Sequence, residues 1–107
     1  MNAPVRIQDA VDALHEAWKP QDIAYANETA VRLALLDGEF PWHKHVEDEL
    51  FLCWKGTFRI ELANEESVTL GAGDLFVIPP EKEHRPVADA PAYALVIERR
   101  ETKQYGN

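Results

Sequence analysis

Most of the chain consists of short apolar runs separated by turn residues, and this pattern restricts the fold more than any other feature. From about residue 21 onward, runs rich in Val, Ile, Leu, Phe and Trp alternate with Gly, Pro and Asn at intervals typical of sandwiches and barrels. The pattern therefore predicts an all-β protein. The predicted strands are Ile23–Asn27, Thr29–Asp37, Phe40–His45, Glu49–Trp54, Thr57–Ala63, Val68–Leu70, Asp74–Ile78, His84–Val87 and Ala92–Glu98.

One connection between predicted strands is short enough to suggest its geometry. Lys55 and Gly56 alone separate the runs Glu49–Trp54 and Thr57–Ala63. A two-residue link with a glycine, which supplies any positive φ that the turn needs, is typical of a tight β-hairpin. We therefore expect these two strands to pair with each other.

The N-terminal residues have a different periodicity. Ile7, Val11, Leu14 and Trp18 follow one another at spacings of four, three and four, which is the apolar stripe of an amphipathic helix over residues 7–18. We expect a helical extension over residues 1–20 and a β domain over residues 21–107, in a chain whose 107 residues suit one domain overall.

Both faces of the predicted strand Glu49–Trp54 are largely apolar, so each face needs a cover. The N-terminal helix could cover one face and a second packed sheet the other, and a partner subunit could replace the helix. A homodimer is therefore an expectation from the sequence.

Composition excludes several classes of partner. Asp and Glu outnumber Lys and Arg by 19 to 11, so the surface should repel nucleic acid and anionic membranes. The first residues lack the basic start and apolar run of a secretory signal, and no stretch has membrane-spanning length. The single cysteine, Cys53, cannot form an internal disulfide. We expect a cytoplasmic protein.

The chemistry concentrates in two segments. Histidines at i and i+2 on a strand point to one face, so His43 and His45 can converge on one ion. Glu49 follows four residues later and can join them only if the chain bends at residues 46–48. His84 follows an apolar strand and two prolines, and only folding can bring it to the first three.

Three imidazoles and a carboxylate form a mixed nitrogen and oxygen donor set. Such a set suits one divalent metal ion, whether Fe, Mn, Co, Ni, Cu or Zn. The fourth histidine, His15, has no partner at a ligand spacing and reads as an ordinary half-exposed helix residue. Two surface histidines on an edge strand would give the same short pattern, so the full set of four carries the prediction.

The two segments resemble the two motifs of the cupin family. Residues 38–56 resemble the first motif, with its His-x-His, Glu and final Gly at positions 43, 45, 49 and 56, and residues 73–84 resemble the second. The resemblance implies a small jelly-roll β-barrel, or double-stranded β-helix, with the three histidines and Glu49 as metal ligands. It extends to small cupins described as mannose-6-phosphate isomerase-like, a label that reflects shared fold and not shared activity.

The chain departs from the cupin motifs at three positions. Gly38 stands one residue closer to His43 than is usual, Glu81 replaces a preferred Gly, and Ala88 stands where Asn is frequent. None of these changes removes a ligand, so they affect loop geometry and the pocket rim more than metal binding.

Six further residues are candidates for the wall of a substrate cavity, although aromatic residues and a lone cysteine on strands are more often simple core residues. The candidates are Trp42, Phe51, Cys53, Phe58, Phe76 and Tyr93.

A metal held in this way could activate water, polarise a carbonyl or enediol, or bind dioxygen beside a chelating substrate. The first hypothesis is a metal-dependent enzyme of the oxygenase or isomerase type that acts on a small oxygen-bearing molecule. The alternative is a non-catalytic module in which the ion supports a small-ligand pocket or the barrel itself. A metal-free storage-type protein is a third option, and the intact ligand set argues against it.

Overall fold

The computed structural model describes residues 3–107, which form one short helix and seven antiparallel strands. The predicted N-terminal extension begins at residue 1, and its first two residues lie outside the described part. The elements are α1 (Ile7–Ala13), β1 (Gln21–Ala26), β2 (Thr29–Glu39), β3 (Glu49–Lys55), β4 (Thr57–Leu62), β5 (Val68–Gly71), β6 (Leu75–Ile78) and β7 (His84–Arg99). The predicted all-β class is confirmed, and β1 to β6 lie within two residues of their predicted bounds.

The longest strand, β7, organises the sheet. It pairs with β2 along most of its length, with β3 through residues 93–98 and with β4 through residues 84–87. The prediction of two separate strands in this region is wrong, because the chain continues through a bulge. Gly38 pairs with Ala88 and Leu36 pairs with Ala92, so residues 89–91 of β7 face Asp37 alone and β7 has two extra residues there.

The connection at Gly56 is a corner between strands, and the hairpin prediction is wrong. β3 pairs with β6 and β7, and β4 pairs with β5 and β7, so neither strand pairs with the other. Gly56 has φ +85°, and a Cβ at this position would lie 3.1 Å from both the Pro91 carbonyl oxygen and the Ala92 Cβ. The chain therefore turns from one half of β7 to the other without reversing.

The helix is shorter than predicted, because it ends at Ala13 and not at residue 18. Leu14 is already extended, and the Trp18 amide donates to the Leu35 carbonyl oxygen of β2 at 2.9 Å, which attaches this segment to the sheet. As a result the predicted stripe divides. Val11 and Leu14 pack on the outer face of the sheet, while Trp18 packs against the inner core.

Two apolar clusters lie on opposite faces of the curved sheet. The inner cluster includes Phe51, Cys53 and Ile60, and the outer cluster places Val11 of α1 against Leu33 of β2. The expectation that α1 covers one face of the β3 region is confirmed, since Leu52 and Trp54 pack against the outer cluster. Among residues 3–107, no helix is both long and apolar enough to span a membrane.

The corner at Gly56 generates a stability prediction. Gly56→Ala should destabilise the protein by about 2–4 kcal/mol, because a left-handed backbone costs an L-residue about 1–2 kcal/mol and the new methyl group meets backbone atoms. Gly73→Ala is the matched control, since Gly73 has φ +91° but no atom within 4 Å of the point where a methyl group would lie, and it should lose only the backbone contribution. Urea unfolding measures the loss of stability in both variants. Equal losses would contradict the close packing of Gly56 against Pro91 and Ala92.

Candidate metal centre

The two histidine segments are joined directly through the main chain. The His43 amide donates to the His84 carbonyl oxygen at 3.0 Å, and the His84 amide donates to the His43 carbonyl oxygen at 2.9 Å. His43 is thus an isolated bridge partner of β7, and the predicted strand Phe40–His45 is wrong beyond this one position. Pro41, which has no amide proton, interrupts regular pairing there.

Glu49 reaches the same place because the chain bends as expected. Val46 and Glu47 form a bend, and β3 then begins at Glu49 itself. The Val46 amide donates to the Asn107 side-chain oxygen at 3.1 Å, which holds the outside of the bend. Glu49 therefore enters the barrel at the first residue of its strand, next to the bridge.

The structure brings together the four residues that the sequence singles out as ligands. One potential ligand atom from each of His43, His45, Glu49 and His84 lies within 4.8 Å of the other three. The Glu49 Oε1 atom lies 3.1 Å from His84 Nε2 and 3.5 Å from His45 Nε2. His43 is partly buried, and the other three residues are buried.

Hydrogen bonds to the main chain orient two of the rings. Nδ1 of His43 lies 2.8 Å from the Pro41 carbonyl oxygen, and Nδ1 of His84 lies 2.7 Å from the Lys82 carbonyl oxygen. A carbonyl oxygen can only accept, so each Nδ1 carries the proton and each Nε2 keeps a lone pair for a ligand bond.

The surroundings of His45 indicate whether a metal ion fits the cluster. Its side chain is buried, yet neither ring nitrogen has a hydrogen-bond partner among the described residues. An unpartnered buried polar atom is costly, and a cation bound to one nitrogen would remove part of that cost. The donor set and its geometry therefore fit a divalent ion that accepts nitrogen and oxygen ligands.

The electrostatics of the cluster also suit a cation. Burial lowers the pKa of His43 to about 4, so this ring is neutral near pH 7. Burial alone would raise the pKa of Glu49, but the adjacent His45 and His84 rings, whose Nε2 atoms lie 3.5 and 3.1 Å from Oε1, hold this pKa well below its usual range. Neutral imidazoles and an ionised carboxylate are the forms that bind metals.

A cavity of about 230 Å³ adjoins the cluster and includes His43 and Glu49 in its wall. The other lining residues are Trp18, Pro20, Asp22, Arg32, Ala34, Leu36, Phe40, Phe51, Pro86, Val96, Glu98, Thr102 and Gln104. Of the six residues predicted to line a cavity, Phe51 is in this wall.

The other five predicted wall residues lie elsewhere, so the structure corrects those predictions. Cys53 and Phe58 are buried within the inner core, and Phe76 packs against it. Trp42 is 43% exposed, with the Arg85 guanidinium over its ring. Tyr93 packs on the outer face, where its hydroxyl donates to the Leu14 carbonyl oxygen.

Sequence reasoning missed the charged part of the cavity wall. Arg32 Nη1 donates to Glu98 Oε2 at 2.6 Å, and its Nε donates to Asp22 Oδ1 at 2.9 Å. Burial and the neighbouring Glu49 raise the pKa of Glu98 to about 8. A signal for these residues exists, because Arg32 and Glu98 occupy the inward positions of strands whose other inward residues, such as Ala34 and Val96, are apolar.

The last residues form a strap across one side of the site, defined here as residues 102–107. Tyr105 stacks on Phe40 with ring centroids 4.9 Å apart, and the Asn107 amide donates to the Lys44 carbonyl oxygen at 3.1 Å. Gly106 approaches closely, since a Cβ there would clash with the Lys44 carbonyl oxygen. The strap therefore packs on the segment that carries His43 and His45.

Comparison with known protein families gives a match over most of the strands. A model of the cupin domain matches residues 31–98. The chain belongs to the cupin family. The predicted resemblance and the small cupin β-barrel are thus confirmed.

Similar proteins occur in several bacteria. The uncharacterized protein YdbB of Bacillus subtilis is 33% identical over 82 residues, which cover 76% of this chain and 73% of that protein. The crystal structure of a cupin-2 domain protein from Shewanella frigidimarina is 34% identical with a TM-score of 0.87, covering 90% of this chain and 94% of that one. Protein NMB1881 of Neisseria meningitidis is 25% identical with a TM-score of 0.84, covering 91% and 99%.

One departure from the cupin motif has a physical explanation. Glu81, which stands where the second motif prefers glycine, has φ +66°. This left-handed backbone favours glycine, so Glu81 carries strain of about 1 kcal/mol. The Glu81 amide donates to the His45 carbonyl oxygen at 2.7 Å, which keeps the loop before His84 in place. The departure therefore leaves the ligand loop intact.

The cluster predicts the effect of removing one ligand. His84→Ala should weaken binding of Mn²⁺ or Zn²⁺ by about a hundredfold or more, since loss of even an indirect support to a metal ligand commonly costs 10–100-fold. Calorimetric titration of chelator-treated protein measures the affinity. His15→Ala is the control, because His15 is exposed and outside the cluster. Equal affinities for the two variants would contradict the assignment.

The raised pKa of Glu98 predicts how the stability of the metal-free protein depends on pH. The folded protein keeps a proton on Glu98 up to about pH 8, whereas the unfolded chain loses it near 4.5, so stability falls as pH rises through this range. Titration of His43 makes stability rise with pH, but only between about pH 4 and pH 6.5. From pH 6.5 to 8 the wild type should therefore lose up to about 1.4 kcal/mol per pH unit, the limit for one proton.

Glu98→Gln should flatten this dependence, and Glu66→Gln on an exposed turn should not. Urea unfolding of chelator-treated protein at several pH values measures the slopes. A Glu98→Gln protein with the slope of the wild type would show that Glu98 is not the titrating group.

Proposed function

We propose that this cupin is a metal-dependent enzyme of the oxygenase or isomerase type that acts on a small oxygen-bearing molecule. The observation that carries the proposal is the position of the four donors at the wall of a cavity. His43 and Glu49 belong both to the donor cluster and to the cavity wall, so an ion bound there would face a space of about 230 Å³. A purely structural ion needs no such space.

A divalent ion in this place would supply Lewis-acid chemistry to an oxygen atom of a bound molecule. The protein's own contribution is to fix the donors before an ion arrives. The hydrogen bonds from Nδ1 of His43 and His84 to main-chain carbonyl oxygens set the ring planes, and burial keeps His45 from rotating into water. Ligand atoms held in this way lose little entropy on binding an ion.

The apolar part of the wall has a second role. Leu36, Phe40, Phe51 and Val96 are each less than 10% exposed and line the cavity beside the donors. Apolar walls keep water away from a reacting centre and strengthen the electrostatic interactions inside it. The apolar wall therefore suits chemistry on a small molecule. The homodimer and the cytoplasmic location remain predictions from the sequence.

Turnover with defined metals tests the proposal. Protein reconstituted separately with Fe²⁺, Mn²⁺, Co²⁺, Ni²⁺, Cu²⁺ or Zn²⁺ is offered diketones, catechols, thiols and sugars. Oxygen uptake reports oxygenase activity, and deuterium incorporation from heavy water next to a carbonyl reports isomerase activity. We expect turnover with at least one metal, and we expect His43→Ala and His84→Ala to lower it to the level of the metal-free protein.

His15→Ala serves again as the control and should keep the activity of the wild type. A metal-loaded protein that binds small molecules but turns over none of them would favour the non-catalytic module. Relaxation of water protons by bound Mn²⁺ separates a further case, because an ion closed to solvent leaves no exchangeable water and would contradict the proposed open site.

A further inference from the structure

The strap, residues 102–107, lies against the metal centre as well as against the cavity. We infer that the strap and the metal site are coupled. The docked strap holds His43 and His45 in position for a metal ion, and a bound ion in turn keeps the strap docked. This inference rests on the proposed function, because it concerns the regulation of the same site.

Asn107 bonds to the main chain on both sides of His45. Its amide donates to the Lys44 carbonyl oxygen at 3.1 Å, and its Oδ1 accepts from the Val46 amide at 3.1 Å. The His45 carbonyl oxygen accepts a further hydrogen bond from the Glu81 amide at 2.7 Å. The His45 ring itself has no hydrogen-bond partner among residues 3–107. The position of this ligand therefore depends on main-chain contacts, and Asn107 supplies two of them.

Gly106 packs directly against the first ligand, His43. Its φ is +88°, and a Cβ at this position would clash with the Lys44 carbonyl oxygen and lie 3.2 Å from the His43 Cβ. Tyr105 extends the contact, because its ring stacks on Phe40 with centroids 4.9 Å apart. The Phe40 ring in turn lies 5.1 Å from the His43 ring in an edge-to-face arrangement. Two residues of the strap therefore support His43, one directly and one through Phe40.

The same strap forms part of the cavity wall. Thr102 and Gln104 line the cavity, and Gln104 Nε2 donates to the Trp18 carbonyl oxygen at 2.8 Å. Arg32 anchors the beginning of the strap, since its guanidinium donates to the carbonyl oxygens of Arg100 at 2.6 Å and Thr102 at 3.3 Å. A movement of residues 104–107 would therefore change the cavity wall and the support of the metal ligands together.

The strap beyond Thr102 is held weakly enough for a metal ion to affect it. None of residues 103–107 is buried, and Tyr105 is 62% exposed. Segments with few buried contacts open at a low free energy. An ion that binds more tightly to the docked form favours docking by the same factor by which docking raises the affinity for the ion. The coupling can therefore be measured from both sides.

Gly106→Ala tests the coupling from the side of the strap. The new methyl group should displace residues 104–107 while all four donor residues remain, so the affinity for Zn²⁺ should fall about tenfold. Gly73→Ala is the matched control, because Gly73 has φ +91° but no atom within 4 Å of an added Cβ, and it should keep the wild-type affinity. Calorimetric titration of chelator-treated protein with Zn²⁺ measures both affinities.

Hydrogen exchange of the wild type tests the coupling from the side of the metal. Saturation with Zn²⁺ should slow exchange of the Asn107 amide, which donates to Lys44, by about the same tenfold. The Gly71 amide donates to Asp74 Oδ2 at 2.9 Å on an exposed turn, and its exchange should not change. Nuclear magnetic resonance with this diamagnetic ion measures the rates. A strap with a purely structural role would exchange at the same rate with and without the ion.

A second variant covers the case in which Gly106→Ala leaves the strap docked. Asn107→Ala removes the oxygen that accepts from Val46 and should also lower the affinity for Zn²⁺. Wild-type affinity in both strap variants would overturn the inference, and so would unchanged exchange of the Asn107 amide. If the wild type binds Zn²⁺ in those cases, the metal centre stands and only the coupling is wrong. If the wild type binds no Zn²⁺, no Mn²⁺ and no Fe²⁺, the proposed function fails as well.

Discussion

The two backbone hydrogen bonds between His43 and His84 are the constraint on which the site depends. They join two residues that are more than forty positions apart in the sequence. They also fix the two main-chain segments relative to each other, independently of the side chains. The rings then need only their Nδ1 contacts with the Pro41 and Lys82 carbonyl oxygens to face one another. Side-chain convergence that rests on main-chain pairing is more rigid than convergence that rests on rotamers alone.

β7 extends this constraint across the barrel. Its first residue is His84, and Glu98 near its other end pairs in register with Glu49 of β3. One strand therefore carries a ligand at its start and, after curving round the barrel, places a carboxyl group beside a second ligand. The bulge at residues 89–91 and the corner at Gly56 allow this path, since both neighbouring strands must follow the same curvature. The turn at Gly56 therefore helps to position the ligand residues of the metal site.

The alternation of apolar residues and the motif spacing are sufficient to predict most strands and the four donor residues of the metal centre. Local patterns cannot decide which strand or surface each segment packs against. Gly56 after an apolar run looks the same whether the chain reverses or turns a corner, and only its pairing with β7 distinguishes these outcomes. Trp18 fits a helical stripe by spacing, yet a hydrogen bond to Leu35 draws its segment to the sheet. Similarly, alternation places Cys53 inside the barrel but does not show that it lies away from the cavity.

Charged residues at inward strand positions give a more specific signal than aromatic residues at the same positions. Burying Arg32 and Glu98 is unfavourable unless each has a polar partner, and the hydrogen bond from Arg32 to Glu98 offsets only part of that cost. The Glu98 carboxyl group still lies beside the buried Glu49, and this proximity contributes to the raised pKa of Glu98. A cation held by the four donors would favour the ionised form of both carboxyl groups and so lower the pKa of Glu98. The buried carboxyl groups of Glu49 and Glu98 are unfavourable in the metal-free protein. For the same reason they favour a bound cation in this interior.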